Sequence, residues 1–400
     1  MPDVPSRVTV THCPDYTPAN LSKAVQMLLA DLEPLPLFKG ARVLLKPNCL
    51  SAHHGPERPV NTRVEVVEAV GHYLRTHHQI ELLIGDSGGM GSYGKAKRAY
   101  ALMGLDRVAD TLGAQLVNME ERGLIDLQSP VGKNLPQFKA TDLLDQIDVI
   151  INLPKLKTHI LTGMTGAIKN FLGLLPGSLK RAVHVDAPSG PAMAQALVDI
   201  LAGIKTKVPL IMNLMDGIIA MEGTGPTHGR PQDTGWLLAS LDPVALDYAA
   251  ATIMGFNPSK VRTITAAAQA GLGNGEHSRI ELRGADWKEL PFPGFQHPFT
   301  RPREWIERIV PNVLIGRAFD WVYEAKPRVR KEICQKCNLC IQACPAQAMI
   351  MTEKGLQLEN KLCIECYCCL EHCPHEGLWV PRGILDRIRG RKSRKGARYA

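Results

Sequence analysis

Nine of the chain's 11 cysteines fall between Cys334 and Cys373. Eight of them make two copies of one pattern. The first is Cys334, Cys337, Cys340 and Cys344, followed by Pro345; the second is Cys363, Cys366, Cys369 and Cys373, followed by Pro374. Equivalent cysteines stand 29 residues apart, so the region is an internal repeat. Three thiolates at two-residue gaps wrap a loop around one face of an iron–sulfur cubane, and the fourth, at the start of a short helix, points to the other cluster. The spacing therefore predicts two [4Fe–4S] clusters. Cys334, Cys337, Cys340 and Cys373 are expected to hold one, and Cys363, Cys366, Cys369 and Cys344 the other. Structural zinc sites use two cysteine pairs with a longer gap, not four in a row ending in Cys-Pro. The spacing fixes ligation without saying whether the clusters change redox state. Cys368, beside Cys369, reads as a packed thiol.

A second set of chemical residues lies far upstream. Lys46, Lys155, Lys157, His159 and Lys169 can bind an anion such as a carboxylate or phosphate. Asp86, Asp216 and Glu222 can orient the lysines, bind a metal or move protons. Gly88, Gly89 and Gly91 allow close backbone approach to a ligand, with neither Walker nor dinucleotide-fingerprint spacing. Cys49 with His53 or His54 is a weaker candidate for a mononuclear metal site, and His184 and Asp186 are further candidates to line the cleft.

These residues need elements to position them. Strand-like runs at 7–11, 41–46, 80–84, 115–118, 147–152, 208–214 and 235–240 alternate with helical patterns at 21–32, 62–76, 96–112, 192–204 and 242–254. Thr62 and Asp242 read as helix caps, with Pro243 at the first helical position and Gly104 as a break. Alternation of this kind predicts an α/β fold, a mostly parallel sheet covered by helices. Ligands of such sheets bind outside the carboxyl ends of the strands. The runs after 45, 84, 151 and 214 are therefore expected to be loops converging on one cleft, with Lys155, Lys157, His159, Lys169, Asp86, Asp216 and Glu222 as its catalytic candidates.

The expected organisation is an α/β domain at 1–290, a linker and connecting helix at 291–328, a small α+β two-cluster module at 329–381, and a basic tail at 382–400. Residues 329–381 resemble a bacterial two-cluster ferredoxin domain. The large domain resembles domain-of-unknown-function family 362 over about residues 7–285. That resemblance rests on Lys46-Pro-Asn48, Gly85-Asp-Ser-Gly88, Asn152 to His159, Gly166 to Gly173, Asp216 to Glu222 and Asp242 to Asp247. It implies one domain and one site, groups Lys155, Lys157, His159, Lys169 and Asn170, and supplies no substrate.

Composition sets the remaining limits. Lys and Arg number 47 against 39 Asp and Glu, a net charge of +8. The last 19 residues hold eight basic residues and one acid, which is +7 of that total. The tail lacks interleaved aromatics, which argues against nucleic acid and for a solvating tail or an acidic partner. No run of 18 apolar residues occurs, so no membrane span is expected. Without a secretory signal, the cysteines read as metal ligands of a cytoplasmic protein rather than disulfides. The functional expectation is an iron–sulfur oxidoreductase. It would pass single electrons from a soluble electron carrier or redox partner protein to an anionic small molecule at the strand ends. The alternative is a non-enzymatic electron-transfer or metallocofactor-maturation protein.

Overall fold

The computed structural model describes residues 4–35, 37–89, 94–298 and 326–380. Gly91, residues 299–325 of the expected linker and connecting helix, and the basic tail at 382–400 lie outside the described residues. The chain divides into two compact units, 1–298 and 299–400.

The first unit begins with strand β1 (Ser6–His12), helix α1 (Pro18–Ala30), β2 (Arg42–Pro47), α2 (Val64–His77) and β3 (Glu81–Ile84). Then come α3 (Ala96–Met103), α4 (Leu105–Leu112), β4 (Gln115–Leu116) and a hairpin of β5 (Leu124–Gln128) and β6 (Gln137–Thr141). Gly104 separates α3 from α4 at φ 78°, a left-handed conformation that glycine adopts without a Cβ penalty. The next segment runs through β7 (Val149–Leu153), β8 (Lys155–His159), β9 (Gly163–Thr165), α5 (Ala167–Asn170), α6 (Ser178–Asp186) and α7 (Gly190–Lys207). The unit closes with β10 (Leu210–Glu222), β11 (Arg230–Ser240), α8 (Pro243–Ile253), α9 (Arg262–Gln269) and β12 (Ile280–Arg283).

The main sheet has the order β12-β1-β11-β10-β7-β2-β3-β4, with β8 attached to β10 and β9 to β8. Among these path strands only β11 runs against the rest. The mostly parallel α/β architecture is thus the one the alternating pattern predicts. Side chains alternate across the pleat. Leu44, Leu83 and Ile150 join one core layer with α7, α8 and α9. Val43, Leu45, Leu82, Ile84, Val149 and Ile151 join the opposite layer with α1, α2 and α4. Asp242 caps α8, its carboxylate accepting from Val244 N at 2.8 Å and Ala245 N at 3.1 Å.

Three expectations are corrected. Residues 155–159, read as loop, form β8, and β10 continues through Asp216 to Glu222 instead of ending at Leu214. β7 pairs with the first part of β10, and β8, after Pro154, pairs with its extension. Thr62 does not cap α2; its hydroxyl donates to Leu153 O at 2.7 Å and accepts from Asn48 N at 2.9 Å. Residues 291–298, read as linker, pack onto the first unit: Phe292 N donates to Ile253 O, and Gln296 N donates to Glu222 Oε2 at 2.7 Å.

The second unit contains β13 (Arg328–Val329), α10 (Leu339–Ala343), β14 (Met349–Thr352), β15 (Gly355–Leu358), α11 (Cys368–Glu371) and β16 (Leu378–Trp379). β13 pairs with β16, and β14 with β15, both antiparallel. The sequence repeat is a backbone repeat as well. Left-handed non-glycine residues occur at Lys336 and Glu365, Asn338 and Tyr367, and Gln347 and Glu376, each pair 29 positions apart. Such residues cost about 1 kcal/mol or more each, so their recurrence marks a loop shape that something else requires.

Candidate functional site

The strand ends of the first unit carry two buried lysine–aspartate pairs. Lys46, at the end of β2, places Nζ 2.9 Å from Asp86 Oδ1, just after β3. The other oxygen of Asp86 accepts from Cys49 N at 2.8 Å. Ser87 and the 171–174 turn lock together, with Ser87 N donating to Gly173 O at 3.2 Å. Gly173 must lack a side chain, because a Cβ there would fall against Asp86 Oδ1 and 2.6 Å from Lys46 Nζ.

The second pair is made by strand register. Lys155 of β8 stands directly opposite Asp216 of β10. Its Nζ donates to Asp216 Oδ2 at 2.7 Å, and neither side chain is exposed. Tyr16 completes a triangle: its hydroxyl donates to Asp216 Oδ1 at 2.8 Å and accepts from Lys155 Nζ at 3.0 Å. The Arg63 guanidinium lies 4.5 Å from the centre of the Tyr16 ring, and Arg63 N donates to Asp216 Oδ2. Burial holds the Lys155 ammonium below its ordinary range, opposed by Asp216. Burial, with Asp216 nearby, pushes the Tyr16 hydroxyl well up.

Lys157 is also buried and donates to Asn48 Oδ1 at 2.7 Å and Val60 O at 2.6 Å. Lys180, on α6, donates to the carbonyls of Ser87 and Gly88 at 2.8 and 2.7 Å. Burial lowers its pKa to about 8, with Asp86 opposing and Lys46 and Lys169 adding to the shift. Lys46, Lys157, Lys180 and Asp86 all act on the buried Cys49 thiol, which burial pushes well up. Lys46, Asp86, Lys157, Lys169 and Lys180 therefore form one electrostatic group. A chain of amides runs beside it: Asn170 Nδ2 donates to Asn152 Oδ1 at 2.7 Å, Asn152 Nδ2 to Asn213 Oδ1 at 2.9 Å, and Asn213 Nδ2 to Ser240 O at 3.1 Å.

Other expected residues have structural work. His159 closes the β8–β9 turn, its Nδ1 accepting from Leu161 N at 3.1 Å and Thr162 N at 3.4 Å. That geometry puts the ring proton on Nε2. Glu222 anchors Gln296 at the far end of β10. Cys49 directs its sulfur to Met103 Sδ at 2.9 Å, while His54 Nδ1 bonds Ser51 Oγ at 2.8 Å. Among the described residues no three His, Cys, Asp or Glu side chains converge on a single-ion site. His184 and Asp186 belong to α6, and His184 is buried.

Tyr16 and Lys180 are the residues that sequence reasoning passed over. Tyr16 sits in a polar loop with no pattern to mark it. Lys180 had a signal: Lys180, Val183 and His184 share one face of α6, and all three are buried.

In the second unit, a cavity is lined by Cys334, Cys337, Cys340 and Cys373, which are three thiols of the first motif and the last of the second. The other four motif cysteines are Cys344, Cys363, Cys366 and Cys369; all but the half-buried Cys363 are buried. Backbone N–H groups point at sulfur in both repeats: Ala348 N to Cys344 Sγ at 3.2 Å and Gly377 N to Cys373 Sγ at 3.3 Å. Thiols grouped around a cavity, supported by N–H donors, are the chemistry that thiolate-held iron–sulfur groups use.

A model for a 4Fe-4S dicluster domain matches residues 333–378. Together with the duplicated cysteine loops, this makes the chain an iron–sulfur protein whose sequence carries a ferredoxin-type domain C-terminal to a mostly parallel α/β unit. The α/β unit has its own kinship. Residues 43–252 match the model described as domain of unknown function (DUF362), and the chain belongs to that family. It is 32% identical over 267 residues to a thylakoid-associated protein of Synechocystis sp., covering 66% of this chain and 79% of the relative. Among solved structures, it is similar to a protein of Thermotoga maritima at TM-score 0.37 and 14% identity, over 65% of this chain. It is also similar to the lactate racemase apoprotein of Thermoanaerobacterium thermosaccharolyticum at TM-score 0.33 and 15% identity, over 54% of this chain. The chain spans 60% and 52% of those two solved chains. No helix among the described residues is long and apolar enough to cross a membrane.

Proposed function

We propose that this chain is an iron–sulfur oxidoreductase holding two [4Fe–4S] clusters and binding an anionic substrate or cofactor at the strand ends of its α/β unit. The observation that carries this reading is the cavity lined by Cys334, Cys337, Cys340 and Cys373, because it combines thiols from both motifs. Cys344, Cys363, Cys366 and Cys369 would hold the second cluster. Bound clusters supply one-electron transfer, and a soluble electron carrier or redox partner protein would exchange electrons with them.

The chain's own residues would do the rest. Lys157 and Lys169, with Lys46 and Lys180 around Asp86, would attract and orient the anion. Lys155, Asp216 and Tyr16 would hold and move a proton: Lys155 Nζ and Tyr16 Oη are donors already bonded to the Asp216 carboxylate. His159, through the turn it closes, and Glu222, through Gln296, would shape the site from its rim.

Anaerobically isolated protein should contain about eight irons and show a reducible paramagnetic signal, as two cubanes require. Stoichiometric zinc with iron near zero would sink the reading. The second reading, an electron-transfer or maturation protein, draws support from Lys155 and Lys157 being buried and bonded within the protein. Reduced protein offered small carboxylates and phosphate esters distinguishes the two: substrate-dependent reoxidation favours the enzyme.

A further inference from the structure

The two cysteine repeats share a backbone and differ in what that backbone shows to solvent. Cys337 of the first repeat is exposed, while its counterpart Cys366, 29 positions later, is buried. The residue after each follows suit: Asn338 is exposed and Tyr367 is buried. The residue before each reverses charge, from the exposed Lys336 to the half-buried Glu365. Lys336 and Glu365 hold nearly the same left-handed conformation, φ 53° and 55°, so the loop shape does not cause the difference. Lys336 lines the cavity of Cys334, Cys337, Cys340 and Cys373, and is the one lysine, arginine or carboxylate side chain among its lining residues. Met351 adds an exposed apolar side chain to the same lining. In the other set of thiols the most open is the half-buried Cys363.

One-electron exchange requires a partner's redox group to come close to a cluster, and the thiol that reaches solvent marks the shortest way in. Electron-transfer encounters bury little surface, under about 1,200 Å², so a single cavity rim is enough. Opposite charge across such a small contact sets its on-rate and orientation. We propose that electrons enter and leave the module through the Cys337 face, and that this face docks an acidic one-electron carrier protein, a carboxylate of which meets Lys336 beside an apolar contact on Met351. One electron crosses per encounter: the carrier is oxidised as the cluster is reduced, or the reverse, and no bond or proton moves. The cluster held by Cys344, Cys363, Cys366 and Cys369 exchanges with the carrier only through the first. The proposal rests on the two-cluster reading above and gives its redox partner a docking face and a charge.

The test mixes the anaerobically reconstituted full-length chain with reduced flavodoxin, an acidic carrier protein, in a stopped-flow instrument, with iron counted in every sample. Lys336→Glu copies the residue that the second repeat holds in the same conformation, so the loop tolerates it. At low salt this variant should accept electrons about tenfold more slowly than wild type, and the gap should close as salt is raised. Lys336→Gln should fall between the two. Lys361→Glu reverses a charge on an exposed residue outside the cavity lining, two positions before Cys363, and should match wild type. A second readout needs no electron transfer: carbodiimide coupling of oxidised flavodoxin to the chain, mapped by mass spectrometry, should join its carboxylates to Lys336. Equal rates for Lys336→Glu and wild type overturn the proposal. So does an equal loss in Lys361→Glu, or coupling centred on other lysines. Absence of iron from the wild type would instead defeat the cluster reading itself.

Discussion

Lys155 and Asp216 are cross-strand partners whose charged atoms meet at 2.7 Å with neither side chain exposed to solvent. The contact exists because β10 outruns β7 and Pro154 lets the chain resume as β8 alongside the extension. Asp216 N donates to Pro154 O at 2.9 Å, which pins the register at that point. A one-residue slip would turn Lys155 to the opposite face.

Removing one member of this pair leaves the other charge buried without its counter-charge. Asp216→Asn should therefore lower unfolding free energy by about 3–5 kcal/mol, the usual cost of breaking a buried pair from one side. The double variant Lys155→Met, Asp216→Leu removes both charges and should recover much of that loss. Urea denaturation of the two variants measures the difference. Equal stability of Asp216→Asn and wild type would mean that Tyr16 and Arg63 N hold the ammonium and amide without needing the carboxylate charge.

Gly173 tests the other pair by shape. A methyl group there would press on Asp86 and Lys46 from the segment that Ser87 locks in place. Gly173→Ala should cost about 1–3 kcal/mol through overpacking. Gly163, at φ 84° with nothing near its missing Cβ, is the contrasting site. There alanine should lose stability through backbone strain alone, without disturbing Asp86. Thermal denaturation of both variants, with the environment of the buried Cys49 followed by thiol labelling, separates the two effects. Faster labelling is expected only in Gly173→Ala, since Asp86 also accepts from Cys49 N.

The cysteine module was legible because its two repeats keep one spacing, and the 4Fe-4S dicluster match falls on the same stretch. The parallel sheet was legible because its buried strands are short apolar runs between helical patterns. β8 was not. Residues 155–159 carry two lysines and a histidine in five positions and follow a proline, which is how a polar loop reads. Only the extension of β10, a tertiary partner, makes them a strand. The same cause hid the site's division. Lys155 and Lys157 point the same way along β8 and look equivalent in sequence, yet one meets Asp216 and the other Asn48 and Val60. Tyr16 lies 200 residues from Asp216, and no local pattern joins them.

Asp247 should give stability a falling slope in weakly acidic solution. Its carboxyl is buried and accepts from Ala167 N at 2.5 Å and Ile168 N at 3.1 Å, at the head of the segment carrying Lys169 and Asn170. Burial raises its pKa to about 7 from 3.8, opposed by those two bonds and aided by Asp242. A raised acid binds its proton in the folded state while the unfolded chain has already lost it. Its stabilising contribution is complete below about pH 4 and is lost as pH rises through about 7. The slope is at most about 1.4 kcal/mol per pH unit. Asp247→Asn should flatten the difference between unfolding free energies measured across that window. An unchanged slope would mean that the two backbone donors keep the carboxylate ionised.

Lys180 should do the opposite on the alkaline side. Its ammonium is buried against the carbonyls of Ser87 and Gly88, and its pKa falls to about 8 from 10.5. Between those values the unfolded chain holds a proton that the folded protein has released, so this group makes stability rise with pH from about 8 to about 10.5. Below about pH 8 the folded state bears the cost of a desolvated charge. Lys180→Gln keeps two donors for the carbonyls and carries no charge, so the alkaline rise should disappear from the variant. Selective acylation gives an independent measure. In wild type, Lys180 should react near neutral pH once local opening exposes it, and an anion bound among Lys46, Lys169 and Lys180 should slow that reaction. If phosphate or a dicarboxylate leaves the rate of acylation unchanged while ordinary surface lysines also react as before, Lys180 does not face the anion.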